Sequence, residues 1–507
     1  MMDSLLSFPD TQTMQEFSML TFLPLLISAG GGICLLLLNA FKRSFSRDLN
    51  VSLVIVFLAL NLLAVWAHWS GFNFRYFGAW EQWLVGHALD NDAITFIAQT
   101  LIVLASLLLI ILVFSKERFA EFQTPEFYPL YLFMVAGFEL MVSSQHLLLI
   151  LIGLESASLA MCVLMALNNK KVGIEAGLKY FTMGMLASVF FVLGTALFYL
   201  KTGQFRLWHF GDYGSNPYSL LLTTLSLAFI IGALGFKVSL VPFHTWMPDI
   251  YEGNNPVFAA FISIVPKIAG LAVLMRIINY ALVPPLESAI LTLATILIAL
   301  TITIPNVLAL LQKDAKRMMA YSSISHAGFA LLGVITNGSI VFTYWIYFLF
   351  TNIGAFAFFW LLANKQDSQA SNYAYPYERF NGLIKTHPAL ALLGAVFIFS
   401  LAGIPPFSLF WGKLIVLQAL MNQGMFLPMV IVINSAISVA YYFKILVAMF
   451  FKPAPQTPTP LSNASPAISV LGILMAILSV CPLIGLGFYW GLGITPAWVW
   501  PFRLLMP

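Results

Sequence analysis

The feature that most constrains this chain is a succession of apolar segments of about 18 residues or more, which recur from one end of the sequence to the other. A segment of that length can cross the hydrocarbon core of a bilayer as a helix, whereas a membrane barrel would show short segments of alternating polarity. Hydrophobic residues make up 60% of the 507 positions and charged residues only 9%, against roughly 25% charged residues in soluble domains. The sequence therefore predicts an all-α integral membrane protein without an extended soluble domain.

Hydropathy predicts about fourteen transmembrane helices. They are expected near residues 20–40, 51–68, 93–114, 127–145, 147–167, 174–200, 218–243, 256–282, 286–306, 318–337, 340–363, 388–420, 426–450 and 466–490. An even number of crossings places both termini on the same side of the membrane.

The distribution of Lys and Arg between the loops predicts which side that is. Alternate loops are rich in these residues, and the loops on the other side carry few of them. The rich loops include Lys42, Arg43, Lys170, Lys171 and Lys316, and the poor loops include Arg75 and Arg276. Because basic loops face the cytoplasm, both termini are predicted outside.

Two spans carry prolines at membrane depth. LVPFHTWMPDIYEG contains Pro242 and Pro248, and SLAGIPPFSLFWGKL contains Pro405 and Pro406 after Gly403. Each proline removes a hydrogen bond from its helix, and unwound backbone at that depth must face protein or water. Broken helices at corresponding places in two halves are typical of transporters built from repeats.

The broken spans are the seventh and the twelfth, which predicts two inverted repeats of five helices each. The expected organisation is helices one to three in residues 1–126, a first repeat in residues 127–282, a second repeat in residues 283–452, and a final helix and tail in residues 453–507.

Four ionisable residues stand isolated among apolar neighbours at membrane depth: Glu155, Lys237, Lys267 and Lys413. A charge there costs about 2.5 to 3.5 kcal/mol on insertion scales. Lysines near helix ends usually reach the headgroups instead, but these three lysines adjoin Pro or Gly distortions. The pattern predicts a file of one acid and three amines in which a change at Glu155 makes Lys237 hold or release a proton.

Further polar residues can connect that file. Ser322, Ser325 and His326 share a helical face by their spacing, and His244 follows Lys237 by about two helical turns. An unperturbed histidine titrates near pH 6.5 and can pass protons. Lys179 lies four residues after Glu175, a spacing that suits a local ion pair, with proton transfer as the alternative interpretation.

Several other classes of site are not indicated. The cysteines, Cys34, Cys162 and Cys481, lie in apolar runs without metal-ligand spacing. No nucleotide fingerprint, Fe–S cysteine set or flavin site is visible. The net charge of +4 comes without the basic stripe that a nucleic-acid partner requires.

Five ordered motifs resemble a known family: GLESASL, EAGLKYFTMGMLASVFFVLGTALFY, GFKVSLVPFHTWMPDIYEG, KRMMAYSSISHAGF and SLAGIPPFSLFWGK. They are similar to the antiporter-like membrane subunits of respiratory complex I, which are related to subunits of multi-subunit cation/proton antiporters. The resemblance covers roughly residues 90–450. VPFHTWMPDIYEG resembles the N type (mitochondrial subunit 2 type) more than the L or M types, and Lys413 stands where the M type is expected to carry glutamate.

The resemblance implies roles for individual residues. Glu155 and Lys237 would form the coupling pair, Lys267 the central proton carrier and Lys413 the terminal donor towards the outside. Glu175 and His244 match further functional positions. Glu139, in MVAGFELMVSS, departs from the pattern and is open to three interpretations: a local variant, an interfacial acid or an extra proton site.

The resemblance also implies proton translocation within NADH:quinone oxidoreductase of the bacterial inner membrane. NADH, FMN, Fe–S clusters and quinone would then belong to partner subunits, with no cofactor bound by this chain. Its expected neighbours are the K-type and M-type subunits and the lipid bilayer. Two alternatives remain: a D-type subunit of a Na+/H+ antiporter complex, and a scaffold whose lysines are inert.

Overall fold

The computed structural model describes residues 22–41, 46–69, 89, 92–113, 119–212, 217–282, 284, 286–336, 338–363, 374–421, 424–454 and 466–480. Within these ranges the chain is helical and contains no β-sheet. Both chain termini, Cys481, Lys42, Arg43 and Arg75 lie outside the described residues, and so does the end of the last predicted span.

The long helices follow the predicted spans. They are α1 (Leu23–Phe41), α2 (Arg47–Trp69), α3 (Ala93–Val113), α4 (Phe127–Ser143), α5 (Leu147–Ala166), α6 (Lys171–Thr202), α7a (Pro217–Val238), α7b (Met247–Gly253), α8 (Pro256–Ala281), α9 (Glu287–Leu311), α10 (Ala315–Thr336), α11 (Gly338–Leu362), α12a (Pro388–Ala402), α12b (Ser408–Leu420), α13 (Phe426–Phe451) and α14 (Pro466–Val480). Short helical turns at Ala120–Gln123, Leu207–Gly211, Tyr377–Phe380 and Leu383–Thr386 lie in the connections. The prediction of an all-α membrane protein is confirmed.

Both predicted interruptions are present. The seventh span stops at Val238, and residues 239–246 are non-helical before α7b begins. The twelfth span stops at Ala402, and Gly403 adopts a left-handed conformation with φ 76° before α12b begins at Ser408. At the first break the Val241 amide donates to Thr301 Oγ1 at 3.1 Å, so a neighbouring helix satisfies a backbone group that the unwound helix does not.

Burial divides the helices into a core and a periphery. Every residue in the most apolar stretch of α8 is buried, and so is 89% of the corresponding stretch in α10 and in α11. In α1 and α6 the buried share is 28%, and α6 presents Leu186, Val189 and Leu193 outwards. α8 is thus a central helix, in contact with α3, α4, α7a, α10 and α11.

Two basic residues that the sequence placed in loops are buried instead. Arg276 lies in α8 with 3% exposure, and its guanidinium donates to the Ser144 carbonyl at 3.2 Å. Lys316 lies in α10 with 0% exposure, and its Nζ donates to the Asn254 carbonyl at 2.7 Å. Each cation thus binds a carbonyl just beyond the C-terminal end of a helix, of α4 and of α7b respectively, where the helix dipole favours positive charge.

Candidate functional site

Glu155 lies half-buried on α5, on the side that meets α6. Its carboxylate accepts a hydrogen bond from the Ser188 hydroxyl of α6. Lys237 is near enough to interact with it electrostatically, yet these two described side chains form no ion pair within 4.0 Å. The interaction between these two groups is therefore electrostatic and does not involve a direct contact.

Lys237 is 2% exposed and lies in the last turn of α7a. Its Nζ donates to the Tyr180 hydroxyl of α6 at 2.7 Å and to the Ser158 hydroxyl of α5. The ammonium also lies 5.0 Å from the centre of the Tyr180 ring. The C-terminal end of α7a adds a favourable dipole, so three helices together hold this cation.

Lys267 has no exposed surface and follows Pro266 within α8. Its Nζ donates to two oxygens of one residue of α10, the Ser323 carbonyl at 2.7 Å and the Ser323 hydroxyl at 2.8 Å. No described carboxylate lies within 4.0 Å of this ammonium. The central lysine is therefore held by neutral acceptors.

The three residues that the sequence predicts on one polar face of α10 have different hydrogen-bond partners. Ser322 hydrogen-bonds to the Tyr442 hydroxyl, and Ser325 accepts from Asn306 Nδ2 at 2.9 Å. His326 Nδ1 lies 2.6 Å from the Tyr344 hydroxyl, and its Nε2 lies 3.4 Å from that of Tyr442. These residues form a buried polar network among α9, α10, α11 and α13, but the serine that touches Lys267 is Ser323.

Lys413 is 6% exposed and lies on α12b. Its Nζ donates to the Ala402 carbonyl at 3.2 Å, at the end of α12a, and lies 5.2 Å from the centre of the Phe329 ring. A side chain at Gly403 would meet it, since a Cβ there would stand 2.9 Å from Nζ. The break in the twelfth span thus creates the place where this ammonium sits.

His244 lies in the non-helical segment between α7a and α7b with 8% exposure. Its Nδ1 has no hydrogen-bond partner among the described residues. Glu175 lies apart from the buried lysines, with 56% of its side chain exposed. The predicted pair of Glu175 with Lys179 is confirmed, at 2.8 Å.

That pair belongs to a network of ion pairs at the face where α6 and α10 begin. Lys179 also contacts Asp249 of α7b at 2.8 Å, and Arg317 of α10 contacts Asp249 at 2.9 Å and Glu252 of α7b. Burial raises the pKa of Asp249, but hydrogen bonds from Lys179 and Arg317 outweigh burial and hold the pKa below its ordinary value. The network joins the first predicted repeat to the second.

Sequence reasoning missed the hydroxyl groups that contact the buried lysines and Glu155. Ser158, Tyr180 and Ser323 accept from Lys237 or Lys267, and Ser188 donates to Glu155. Ser158 carried a usable signal, because it lies three residues after Glu155 and so on the same face of α5. The other three carried no such signal, because none of them lies on a helix that bears one of the predicted residues it touches or at a matching spacing from that residue. Their role depends on which helices are neighbours in space.

The arrangement is suited to proton transfer. A hydroxyl can accept a hydrogen bond from an ammonium and donate one to a neutral amine, so the contacts of Lys237 and Lys267 survive a change of protonation. No group of three or more His, Cys, Asp or Glu side chains that could hold a metal ion occurs in the described ranges.

Comparisons with known proteins show the family to which the chain is similar. Residues 144–438 match the family described as "NADH:quinone oxidoreductase/Mrp antiporter, TM". The NADH-quinone oxidoreductase subunit N of Helicobacter acinonychis is 48% identical over 480 residues, which cover 92% of this chain and 95% of that protein. A chain in the structure of respiratory complex I from Thermus thermophilus with bound aureothin superposes with a TM-score of 0.76 at 30% identity, covering 92% of this chain and 98% of that one.

A chain of the Mrp complex from Dietzia superposes with a TM-score of 0.77, covering 94% of this chain and 96% of that one, but only 19% of the aligned residues are identical. At that identity the likeness extends to the fold alone.

Proposed function

The chain belongs to the family of NADH-quinone oxidoreductase N subunits, and from that premise we propose that it moves protons along a file formed by Glu155, Lys237, Lys267 and Lys413. It is a proton-translocating, multi-pass membrane subunit of bacterial respiratory complex I. The file is the route by which this chain performs that function.

The observation that carries the proposal is the placement of the lysines. Lys237, Lys267 and Lys413 are each at most 6% exposed, and none forms an ion pair within 4.0 Å among the described residues. Such charges are costly and in membrane helices usually mark ion or proton routes. Neutral acceptors hold each ammonium but do not prevent it from losing its proton. A proton carrier must be able to do so.

The driving event lies in partner subunits. Quinone reduction there changes buried charges, and the change reaches Glu155 electrostatically and then alters the proton affinity of Lys237. Moving one charge against the membrane potential costs about 2.3 kcal/mol per 100 mV. Charges about 4 Å apart in protein interact with about 4 kcal/mol at an effective dielectric constant of 20, so field effects of this kind are large enough.

His244, His326, Ser322 and Ser325 extend the file as relay groups, with water between them. Glu175, in the ion-pair network at the membrane face, marks the region where protons approach the buried residues. In our proposal this face is cytoplasmic and both termini are outside, and residues 127–282 and 283–452 are the inverted repeats. The matching positions of the breaks beside Lys237 and Lys413 support the repeat assignment.

Glu155 also indicates where a neighbour binds. It is only half-buried, and Ile152 and Leu159 beside it on α5 are exposed apolar residues. We assign the neighbours as the K-type and M-type subunits, one of which covers this surface and excludes lipid from the acid. NADH, FMN, the Fe–S clusters and quinone are bound by partner subunits.

The test compares Lys267→Met with Lys444→Met in the assembled complex. Lys444 is also a lysine within a span, but its Nζ donates to the Leu310 carbonyl at the end of α9, away from the file. We expect Lys267→Met to lose most quinone-linked proton uptake by membrane vesicles, and Lys444→Met to retain it. Normal uptake by an assembled Lys267→Met complex would support the scaffold hypothesis instead.

A further inference from the structure

A second buried acid lies far from the lysine file, among α1, α2 and α4. Glu139 of α4 has 0% exposure, and Asn61 of α2 is equally buried. Asn61 Nδ2 lies 2.7 Å from Glu139 Oε1, 2.6 Å from Ser28 Oγ and 2.9 Å from the Pro24 carbonyl. All four residues precede residue 144, where the family match begins.

Two buried oxygen atoms of this cluster have no hydrogen-bond donor among the described residues. Glu139 Oε2 and Asn61 Oδ1 are buried, and neither has a hydrogen-bond partner in the described part of the chain. Both atoms are acceptors when Glu139 is ionised, so neither can satisfy the other. The Ser28 hydroxyl also hydrogen-bonds with Glu139, but a hydrogen that it gives to the carboxylate leaves Asn61 Oδ1 without a donor. A buried acceptor without a donor costs free energy, which argues that one hydrogen is missing from this arrangement.

Among the described residues, no cation forms an ion pair with Glu139 within 4.0 Å. The charged side chains on the described elements that contact α4 make other contacts. Arg276 of α8 pairs with Asp92, and Lys267 of the same helix donates to Ser323. Arg47 of α2 pairs with its neighbour Asp48, and Glu155 accepts from Ser188. A fully buried carboxylate without an ion-pair partner is strongly disfavoured.

We propose that Glu139 and Asn61 form a proton-binding site separate from the lysine file. A proton taken up by Oε2 gives an O–H that donates to Asn61 Oδ1, while Asn61 Nδ2–H donates to Oε1. The acid and the amide then form a closed pair, and one proton supplies both missing partners. The proton comes from water and returns to water, and no other bond changes.

The position of Glu139 indicates the side with which this proton exchanges. α4 ends at Ser143, four residues beyond Glu139, and the Ser143 hydroxyl donates to the Glu139 carbonyl at 2.8 Å. At the same end Arg276 links the Ser144 carbonyl to Asp92, whose side chain is 37% exposed. Polar groups therefore lie between the cluster and that membrane face, where the site exchanges its proton.

Infrared spectroscopy of the whole complex in liposomes tests this site without measuring proton pumping. The wild-type complex should show the carbonyl band of a protonated carboxylic acid that shifts in heavy water and weakens as the pH rises. Glu139→Gln keeps the size and hydrogen bonding of the side chain and should abolish that band. Glu121→Gln is the matched control, since Glu121 is another buried acid (3% exposed) whose Oε1 accepts from an asparagine, Asn255, at 2.9 Å. That variant should keep the Glu139 band.

Two results would overturn the proposal. A spectrum that Glu139→Gln leaves unchanged at every pH would mean that Glu139 never carries the proton. A band that is lost in Glu139→Gln but does not respond to heavy water or pH would mean a sealed structural hydrogen bond. If Glu139→Gln prevents assembly, Asn61→Leu decides. It should shift the band to the frequency of a carboxylic acid without the amide partner, and an unshifted band would refute the pair.

Discussion

At Lys237, Lys267 and Lys413 the ammonium meets hydroxyl or carbonyl oxygens, and no carboxylate of the described residues lies within 4.0 Å. A carboxylate in contact would lock the positive charge in place, because separating a buried ion pair costs several kcal/mol. Ser323 shows the alternative, since its carbonyl and hydroxyl both accept from Lys267. After the proton leaves, the hydroxyl can turn and donate to the amine.

Ser323→Ala should therefore slow proton transfer while leaving the carbonyl contact in place. A hydrogen bond to a charged group contributes about 1.5 to 3 kcal/mol, and a loss near the lower limit corresponds to roughly a tenfold change. We expect quinone-linked proton uptake to fall by about that factor in the assembled complex.

Two other serine substitutions serve as controls for this prediction. Ser226→Ala removes a similarly buried hydroxyl that donates to the Gly194 carbonyl at 2.7 Å instead of contacting a lysine of the file, and uptake should stay normal. Ser325→Ala should have a smaller effect than Ser323→Ala, because Ser325 binds Asn306 and not Lys267. Equal effects of Ser323→Ala and Ser226→Ala would contradict the assigned contact.

The partner of Lys267 was not predictable from the sequence for a physical reason. An amphipathic pattern identifies the buried face only when a helix has an exposed face. α10 is buried on nearly all sides, so the spacing of Ser322, Ser325 and His326 could show that they share a face but not which face meets α8.

At the scale of helices, hydropathy predicted the positions of the spans, whereas the basic residues near helix ends did not show which side chains are exposed. Prolines and apolar segments predicted the helices and the two breaks, because a bilayer leaves few alternatives to a helix. Arg276 and Lys316 were misplaced because a basic residue near a span end was assumed to reach water. The carbonyl ends of α4 and α7b bind these cations instead.

Gly403 allows a direct test of the break in the twelfth span. Its φ of 76° disfavours a side chain, and a Cβ would stand 2.9 Å from Lys413 Nζ. Gly403→Ala should therefore cost about 1 to 2 kcal/mol in backbone strain and also displace the ammonium, so that the assembled complex pumps fewer protons per quinone reduced.

Gly203→Ala is the matched control for that prediction. Gly203 ends α6 with φ 65°, and no heavy atom lies within 4 Å of the position that its Cβ would occupy. It should lower thermal stability by a similar amount and leave the proton-to-quinone ratio unchanged. A normal ratio in Gly403→Ala would show that the contact with Lys413 does not matter.

At the scale of the whole molecule, the ion-pair network holds α6, α7b and α10 together across the two proposed repeats. Asp249 is its centre, because it binds both Lys179 and Arg317. Partly exposed pairs contribute up to about 1 kcal/mol each, so Asp249→Asn should lower the thermal stability of the complex by an amount of that order.

The same residue predicts a pH dependence. The pKa of Asp249 is lower in the folded chain than in the unfolded chain, so its contribution is fully present above an ordinary aspartate pKa of about 4. The contribution is lost as pH falls through the folded pKa. Thermal denaturation followed across this acid range should therefore show a smaller decline for Asp249→Asn than for the wild type.

Asp212→Asn provides the comparison, because Asp212 pairs only locally with His209, at 2.7 Å, and 67% of its side chain is exposed. It should leave the acid-range stability close to that of the wild type. Added salt should reduce the effect of Asp249→Asn by screening the partly exposed charges. An Asp249→Asn complex with wild-type stability at all pH values would show that the network does not hold the repeats together.

The central position of α8 has one more consequence. Every residue of its most apolar stretch is buried and Lys267 has no exposed surface, so protein separates the proton that we propose Lys267 to carry from the bilayer. The charge at the middle of the chain can change while the energised membrane stays sealed against leakage. Electrical insulation of the pump thus comes from where this helix is placed, and even a variant with an inert Lys267 should leave the membrane tight.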